Sequence, residues 1–127
     1  MNIESSDKKV KSFEDLWIWQ QARMLVKSVN LDFGQQTPVA RDFGFKNQIQ
    51  KASVSIMNNI AEGFERASDA EFGRFLAIAK GSAGEVRSMY YTAEDLEYVT
   101  STIATQRRET AKQLSAGIAS LKLYLKS

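Results

Sequence analysis

The chain has 127 residues with no Cys, no His and a single Pro, and 17 Lys and Arg against 15 Asp and Glu give a net charge of +2. One ordinary domain fits that length, and 43% hydrophobic residues suffice for a core. Without thiols or imidazoles there is no disulfide framework, no zinc or iron site of the usual ligand set and no His-based general-base or nucleophilic machinery. A charge of +2 does not by itself announce nucleic-acid binding, so any basic surface has to come from arrangement.

Residues 1–11 are polar, lack the apolar stretch of a secretory leader, and read as a flexible tail ahead of one domain over residues 12–127. Nowhere is there a run of about 18 apolar residues that would span a bilayer. The expectation is a soluble, cytoplasmic protein with no membrane partner, no cofactor and no metal.

Four segments then carry helical periodicity. The first opens at Ser12, an N-cap three residues before Asp15, and runs to about Phe33, where Gly34 closes it; Ala22, Val26, Val29 and Phe33 share a face. Thr37-Pro38 marks a loop, because proline has no amide proton and restricts the residue before it. The second helix carries Phe45, Ile49, Ala52, Ile56, Ile60 and Phe64 at spacings of three and four. Ser68 with Glu71 forms a capping box for the third, whose stripe is Phe72, Leu76, Ala79, Ala83, Val86, Tyr90 and Ala93. The fourth begins near Ser101 or Thr102 and repeats Ile103, Ala111, Leu114, Ile118, Leu121 and Leu125. Helices of about 20–28 residues, about 30–40 Å long, with short connections predict an all-α, antiparallel up-and-down four-helix bundle.

Three helices carry more than the one stripe a monomeric bundle needs. Trp17, Met24 and Leu31 recur every seven residues on the first. Val54, Met57 and Ala61 lie together on a flank of the second, and Ala77, Gly81, Gly84 and Ser88 follow one another on the third, opposite Phe72 and Leu76. Glycine inside a helix costs about 1 kcal/mol relative to alanine, so a small-residue face needs an offsetting benefit, and close approach of another helix supplies one. These ten residues form the expected oligomer interface. The run Lys80-Gly81-Ser82-Ala83-Gly84 lacks the spacing and the strand-to-helix setting of a phosphate loop.

The second helix also bears a polar line beside its core: Gln48, Ser55, Asn59, Glu62 and Arg66. Asn59 interrupts the apolar pattern and reads as a register or assembly device. Glu62, with no histidine or second carboxylate at a recognisable spacing, reads as a structural carboxylate paired with Arg66 rather than a general base, and no catalytic residue is assigned. Glu94, Asp95 and Glu97 read as a solvated acidic patch.

The fourth helix has five bases, Arg107, Arg108, Lys112, Lys122 and Lys126, against one acid, Glu109. Arg108, Lys112, Lys122 and Lys126 share a face opposite Ile103, Leu114 and Leu121. Two readings stay open: a nucleic-acid-binding ridge made effective by several copies in an assembly, or a solvated face with lysines suited to a helix C-terminus.

Asp42-Phe43-Gly44, Gln48-Ile49, Ala52-Ser53-Val54-Ser55-Ile56, Asn59-Ile60-Ala61-Glu62-Gly63, Glu71-Phe72, Arg74-Phe75-Leu76 and Ile78-Ala79-Lys80-Gly81-Ser82, with Phe13-Glu14-Asp15-Leu16, Trp19 and Ala22 before them, resemble the bacterial four-helix-bundle proteins encoded in 23S ribosomal RNA intervening sequences. Met57 stands where that family often has proline. The resemblance implies an up-and-down bundle assembling as a ring-like homopentamer. It also implies kinship with the accessory variability protein of diversity-generating retroelements, a pentameric bundle whose basic surface binds a reverse transcriptase and nucleic acid. The functional expectation is a non-enzymatic homo-oligomeric scaffold contacting RNA or DNA through the fourth helix. The alternative is a protein-interaction module that holds a partner enzyme without touching nucleic acid.

Overall fold

The computed structural model describes residues 4–5 and 8–127. The expected tail over residues 1–11 therefore falls partly outside the described residues; within it Glu4–Ser5 and Lys8–Lys9 lie side by side as a short antiparallel pair, Glu4 opposite Lys9. The rest is all-α, with four helices: α1 (Trp17–Asp32), α2 (Phe43–Phe64), α3 (Asp69–Asp95) and α4 (Ser101–Leu125). In chain order α1 packs on α2, α2 on α3 and α3 on α4, and α4 closes back onto α1.

Local chemistry sets most boundaries. The Asp42 carboxylate accepts from the Phe45 amide at 3.1 Å to cap α2. The Ser68 hydroxyl accepts from the Glu71 amide to cap α3, and the Thr100 hydroxyl accepts from the Ile103 amide to cap α4, each at 3.2 Å. Such caps satisfy amides that have no partner within the helix. At its other end α3 stops in a Schellman turn: the Tyr98 amide donates to the Ala93 carbonyl at 2.8 Å and the Glu97 amide to that of Glu94 at 3.0 Å. Glu97 occupies the left-handed position, φ 60°, where glycine is the usual residue.

The first helix differs from expectation. Ser12 and Asp15 do interact, the Ser12 amide donating to the Asp15 carboxylate at 3.3 Å, but they cap a 3-10 turn over Phe13–Asp15. Leu16 is then extended (φ −75°, ψ 127°) before α1 begins, so α1 has 16 residues and not 20 or more. The break buries Leu16, Ile18 and Trp19 together and sets the Phe13 ring edge-on to Trp19 at 5.2 Å. The α1 stripe is accordingly Ile18, Ala22, Leu25 and Val29, with Val26 only half-buried.

The stripe expected on α3 is buried and that on α2 is buried over its middle: Ile49, Ala52, Ile56 and Ile60 meet Phe72, Leu76, Ala79, Ala83, Val86 and Tyr90, while Phe45 and Phe64 at the two ends of α2 are half-buried against the same core. Each large apolar side chain so buried contributes about 1.5–3 kcal/mol. Two glycines make the helices fit. A Cβ on Gly63 would stand 2.7 Å from the Phe75 Cβ, and one on Gly117 would stand 2.8 Å from the Trp17 ring. Gly81 and Gly84 have nothing within 4 Å, so the close approach expected at those two is not made within the chain.

Candidate nucleic-acid interface

The α3–α4 flank can be built from its anchors. Near the start of α3, a Cβ on Gly73 would lie 4.0 Å from the Lys122 Cγ of α4. Near the end of α3, Arg108 of α4 donates from Nη1 to the Glu94 carboxylate at 2.8 Å and stacks over the Tyr91 ring, 4.0 Å from its centroid. Gly73 and Glu94 are three heptads apart, and residues seven apart share a helix face. The two intervening heptad positions are Lys80 and Arg87. They fall on the flank that turns to α4, and both are exposed.

Of the ridge expected on α4, Lys112 and Lys126 are exposed and Lys122 half-buried. Arg108 departs from that expectation. Its side chain is only 14% exposed, and it is tied to Glu94 and to the Thr105 hydroxyl at 3.3 Å, so it positions α4 on α3 and is not presented as a free cation. Glu94 departs with it: instead of joining a solvated acidic patch, its carboxyl is held below the usual range by hydrogen bonds from the Ser101 hydroxyl and Arg108. Among the described residues the ion pairs are Arg66–Glu62, Arg107–Asp32 and Arg108–Glu94. Lys80, Arg87, Lys112, Lys122 and Lys126 belong to none of them.

At the lower end of this flank, Ala70, Gly73, Ala77 and Leu125 form the apolar part of a groove of about 530 Å³ whose polar lining is Arg74, Lys122, Lys126 and Asp69. Arg74, Lys80 and Arg87 were not singled out as cations from the sequence. The spacing Gly73, Lys80, Arg87, Glu94 was the available signal, and it acquires meaning only once Gly73 and Glu94 are seen to face α4.

The expected interface residues are distributed unevenly. Trp17, Met24 and Leu31 are 49%, 61% and 67% exposed and form an apolar line along α1. On α2, Met57 and Ala61 are partly buried against the chain's own core, leaving Val54 as the exposed member. Ala77, Gly81, Gly84 and Ser88 are all exposed along the outer face of α3.

Two polar networks hold the frame. On α2, the Asn59 amide donates to the Ser55 carbonyl at 2.8 Å and to its hydroxyl at 3.1 Å. The Ser55 hydroxyl meets that of Ser82 on α3 at 2.9 Å, and Gln48 donates to Glu85 at 3.0 Å, so this polar line ties α2 to α3. Glu62 is paired with Arg66 at 2.9 Å, as expected. The second network joins three helices. Asp32 of α1 accepts from Arg107 Nε at 2.7 Å and Nη2 at 3.1 Å, and from the buried Tyr90 hydroxyl at 2.8 Å. Burial, then the Asp32 charge, pushes the Tyr90 hydroxyl far above its ordinary pKa. Arg107, counted with the basic residues in the sequence, is thereby a structural cation.

No helix among the described residues is long and apolar enough to cross a membrane. A family model described as 23S rRNA-intervening sequence protein matches residues 14–120. No curated protein matches the chain. Among solved structures, the chain is similar to a protein with unknown function from the S23 ribosomal protein family of Bacteroides thetaiotaomicron, at 23% identity and a TM-score of 0.73, over 83% of this chain and 97% of that one. At that identity the likeness speaks for the bundle alone. With the family match spanning the bundle from the 3-10 turn before α1 almost to the end of α4, the chain belongs to the 23S rRNA-intervening sequence protein family.

Proposed function

We propose that this protein is a non-enzymatic, self-associating scaffold of the cytoplasm whose α3–α4 flank contacts RNA or DNA. The observation that carries the reading is the set of five cations on that flank, Lys80, Arg87, Lys112, Lys122 and Lys126, none of them in an ion pair among the described residues. Unpaired cations along one flank match a phosphate backbone, and their contribution grows when copies act together.

Self-association rests on complementary shapes. The exposed side chains of Met24 and Leu31 on α1 supply projections, and the exposed small residues Gly81, Gly84 and Ser88 on α3, with open space around both glycines, leave room for them. Because the two surfaces are different, a contact between them is head-to-tail, and such contacts close into rings when the rotation allows. The homopentamer that the family resemblance implies is a ring of this kind, and it repeats the basic flank once per subunit.

Two measurements test the proposal. Light scattering at micromolar concentration is expected to give a mass several times that of one chain; a monomer mass removes the scaffold. Fluorescence anisotropy with a structured RNA, at low and moderate salt, is expected to show binding by the wild type and its loss in the Lys112→Glu, Lys122→Glu, Lys126→Glu variant. Equal binding by both removes the basic flank. An oligomer that binds no nucleic acid but co-purifies with one stoichiometric protein establishes the partner-holding alternative instead.

A further inference from the structure

Within the basic flank, the groove between the first turns of α3 and the last turns of α4 differs from the rest. Here Arg74, Lys122 and Lys126 border a recess of about 530 Å³ in which Ala70, Gly73 and Ala77 leave the backbone of α3 thinly covered. Lys122 reaches the recess along its stem, which lies against Gly73, so its ammonium group is carried by a half-buried chain rather than a freely rotating one. We infer that this groove is a seat for a phosphate group, held by Arg74, Lys122 and Lys126 above the small residues of α3.

The charge arithmetic supports an anion of more than one negative charge. Three cations and one carboxylate, Asp69, line the groove, for a local charge of +2. Arg74 can present two N–H groups to two phosphate oxygens, while the lysines act as point charges. Asp69 opposes the ligand, which makes it a probe of opposite sign. The inference deepens the nucleic-acid reading and rests on it for the identity of the polymer; the phosphate could equally come from a free oligophosphate, so both sources enter the test.

Pyrophosphate and a 10-nucleotide single-stranded RNA are titrated into the full chain, with amide shifts of residues 70–77 and 122–126 as the readout. Four proteins are compared: wild type, the Arg74→Gln, Lys122→Gln, Lys126→Gln variant, Ala70→Leu, and Asp69→Asn. Ala70→Leu partly fills the groove with no change in charge at an exposed helical position, and circular dichroism and light scattering serve as the check on its fold and mass. The seat requires that at least one probe shifts these amides in the wild type, that Ala70→Leu weakens its binding about tenfold, and that Asp69→Asn tightens it. The triple variant is expected to lower the magnitude of the RNA salt slope by about 0.7, as one lost phosphate contact on a single strand requires. If Ala70→Leu binds RNA as the wild type does while Lys112→Glu, Lys122→Glu, Lys126→Glu abolishes binding, the basic flank survives and the groove is overturned. Shifts with RNA alone assign the seat to a polynucleotide phosphate, and shifts with pyrophosphate alone to a free oligophosphate with loss of the nucleic-acid reading. No shift with either overturns the seat.

Discussion

Replacing Gly63 with alanine tests the packing account at its tightest point. The new Cβ would sit 2.7 Å from the Phe75 Cβ and 2.9 Å from the Phe72 ring. The Phe75 atom is fixed to the α3 backbone, so the helices must separate, and overpacking of this kind costs about 1–3 kcal/mol. The helix-propensity gain of alanine, at most about 1 kcal/mol, is reduced here because Gly63 is the penultimate residue of α2. The net expectation is destabilisation by about 1–2 kcal/mol, equivalent to about 4 °C in Tm per kcal/mol for a domain of this size. Gly73→Ala is the internal control. Its Cβ meets only the Lys122 Cγ at 4.0 Å, an ordinary contact, and it lies within α3, so it is expected to stabilise by about 0.5–1 kcal/mol. Urea unfolding of both, with an unchanged m-value, provides the comparison. Equal stabilities, or a Gly63→Ala protein more stable than wild type, would refute the claim that α2 and α3 meet over that glycine.

Three further outcomes follow from the polar contacts. Arg107→Met leaves the Asp32 carboxylate, 8% exposed, with Tyr90 as its remaining partner in that network, and should destabilise by about 3 kcal/mol in chemical unfolding; a loss below about 0.5 kcal/mol would show that the network does not hold α1 to α4. The Asp42 carboxyl is held below its ordinary value of 3.8 by the Tyr98 hydroxyl and the Phe45 amide. Its contribution is therefore present above pH 4 and lost as the pH falls through the lowered folded value, so Asp42→Asn, which keeps a capping oxygen, should lessen the drop in stability measured from pH 5 down to pH 2. Glu97→Gly relieves a left-handed residue at φ 60° and should raise stability by about 1 kcal/mol in thermal unfolding.

The bundle was legible because its core is written in local periodicity: Ile49, Ile56 and Ile60, or Leu76, Ala83 and Val86, are spaced so that only a helix buries them together. Leu16 was not legible, since its extended backbone answers to the burial of Ile18 and Trp19 and to Phe13, while the capping signal of Ser12 and Asp15 points to a helix start. The ion pairs were hidden for a different reason. Asp32 and Arg107 are 75 residues apart, and Arg108 meets Glu94 across a helix–helix turn, so α4 alone shows five equivalent bases where the fold distinguishes two structural arginines from three lysines. The same nonlocality separates Gly63 and Gly117, which are crowded, from Gly81 and Gly84, which are not. Lys80 and Arg87 join the candidate interface only once α3 and α4 are placed side by side.

The salt dependence of RNA affinity tests the central claim most directly. If Lys80, Arg87 and Lys112 each neutralise a phosphate and Lys122 and Lys126 together hold one more, log K should fall with log salt at a slope of about −2.8 per bound subunit on a single strand, and reversing Lys112, Lys122 and Lys126 to glutamate should remove at least half of it. A slope near zero, or one unchanged by the reversal, would contradict the assignment of this flank to nucleic acid.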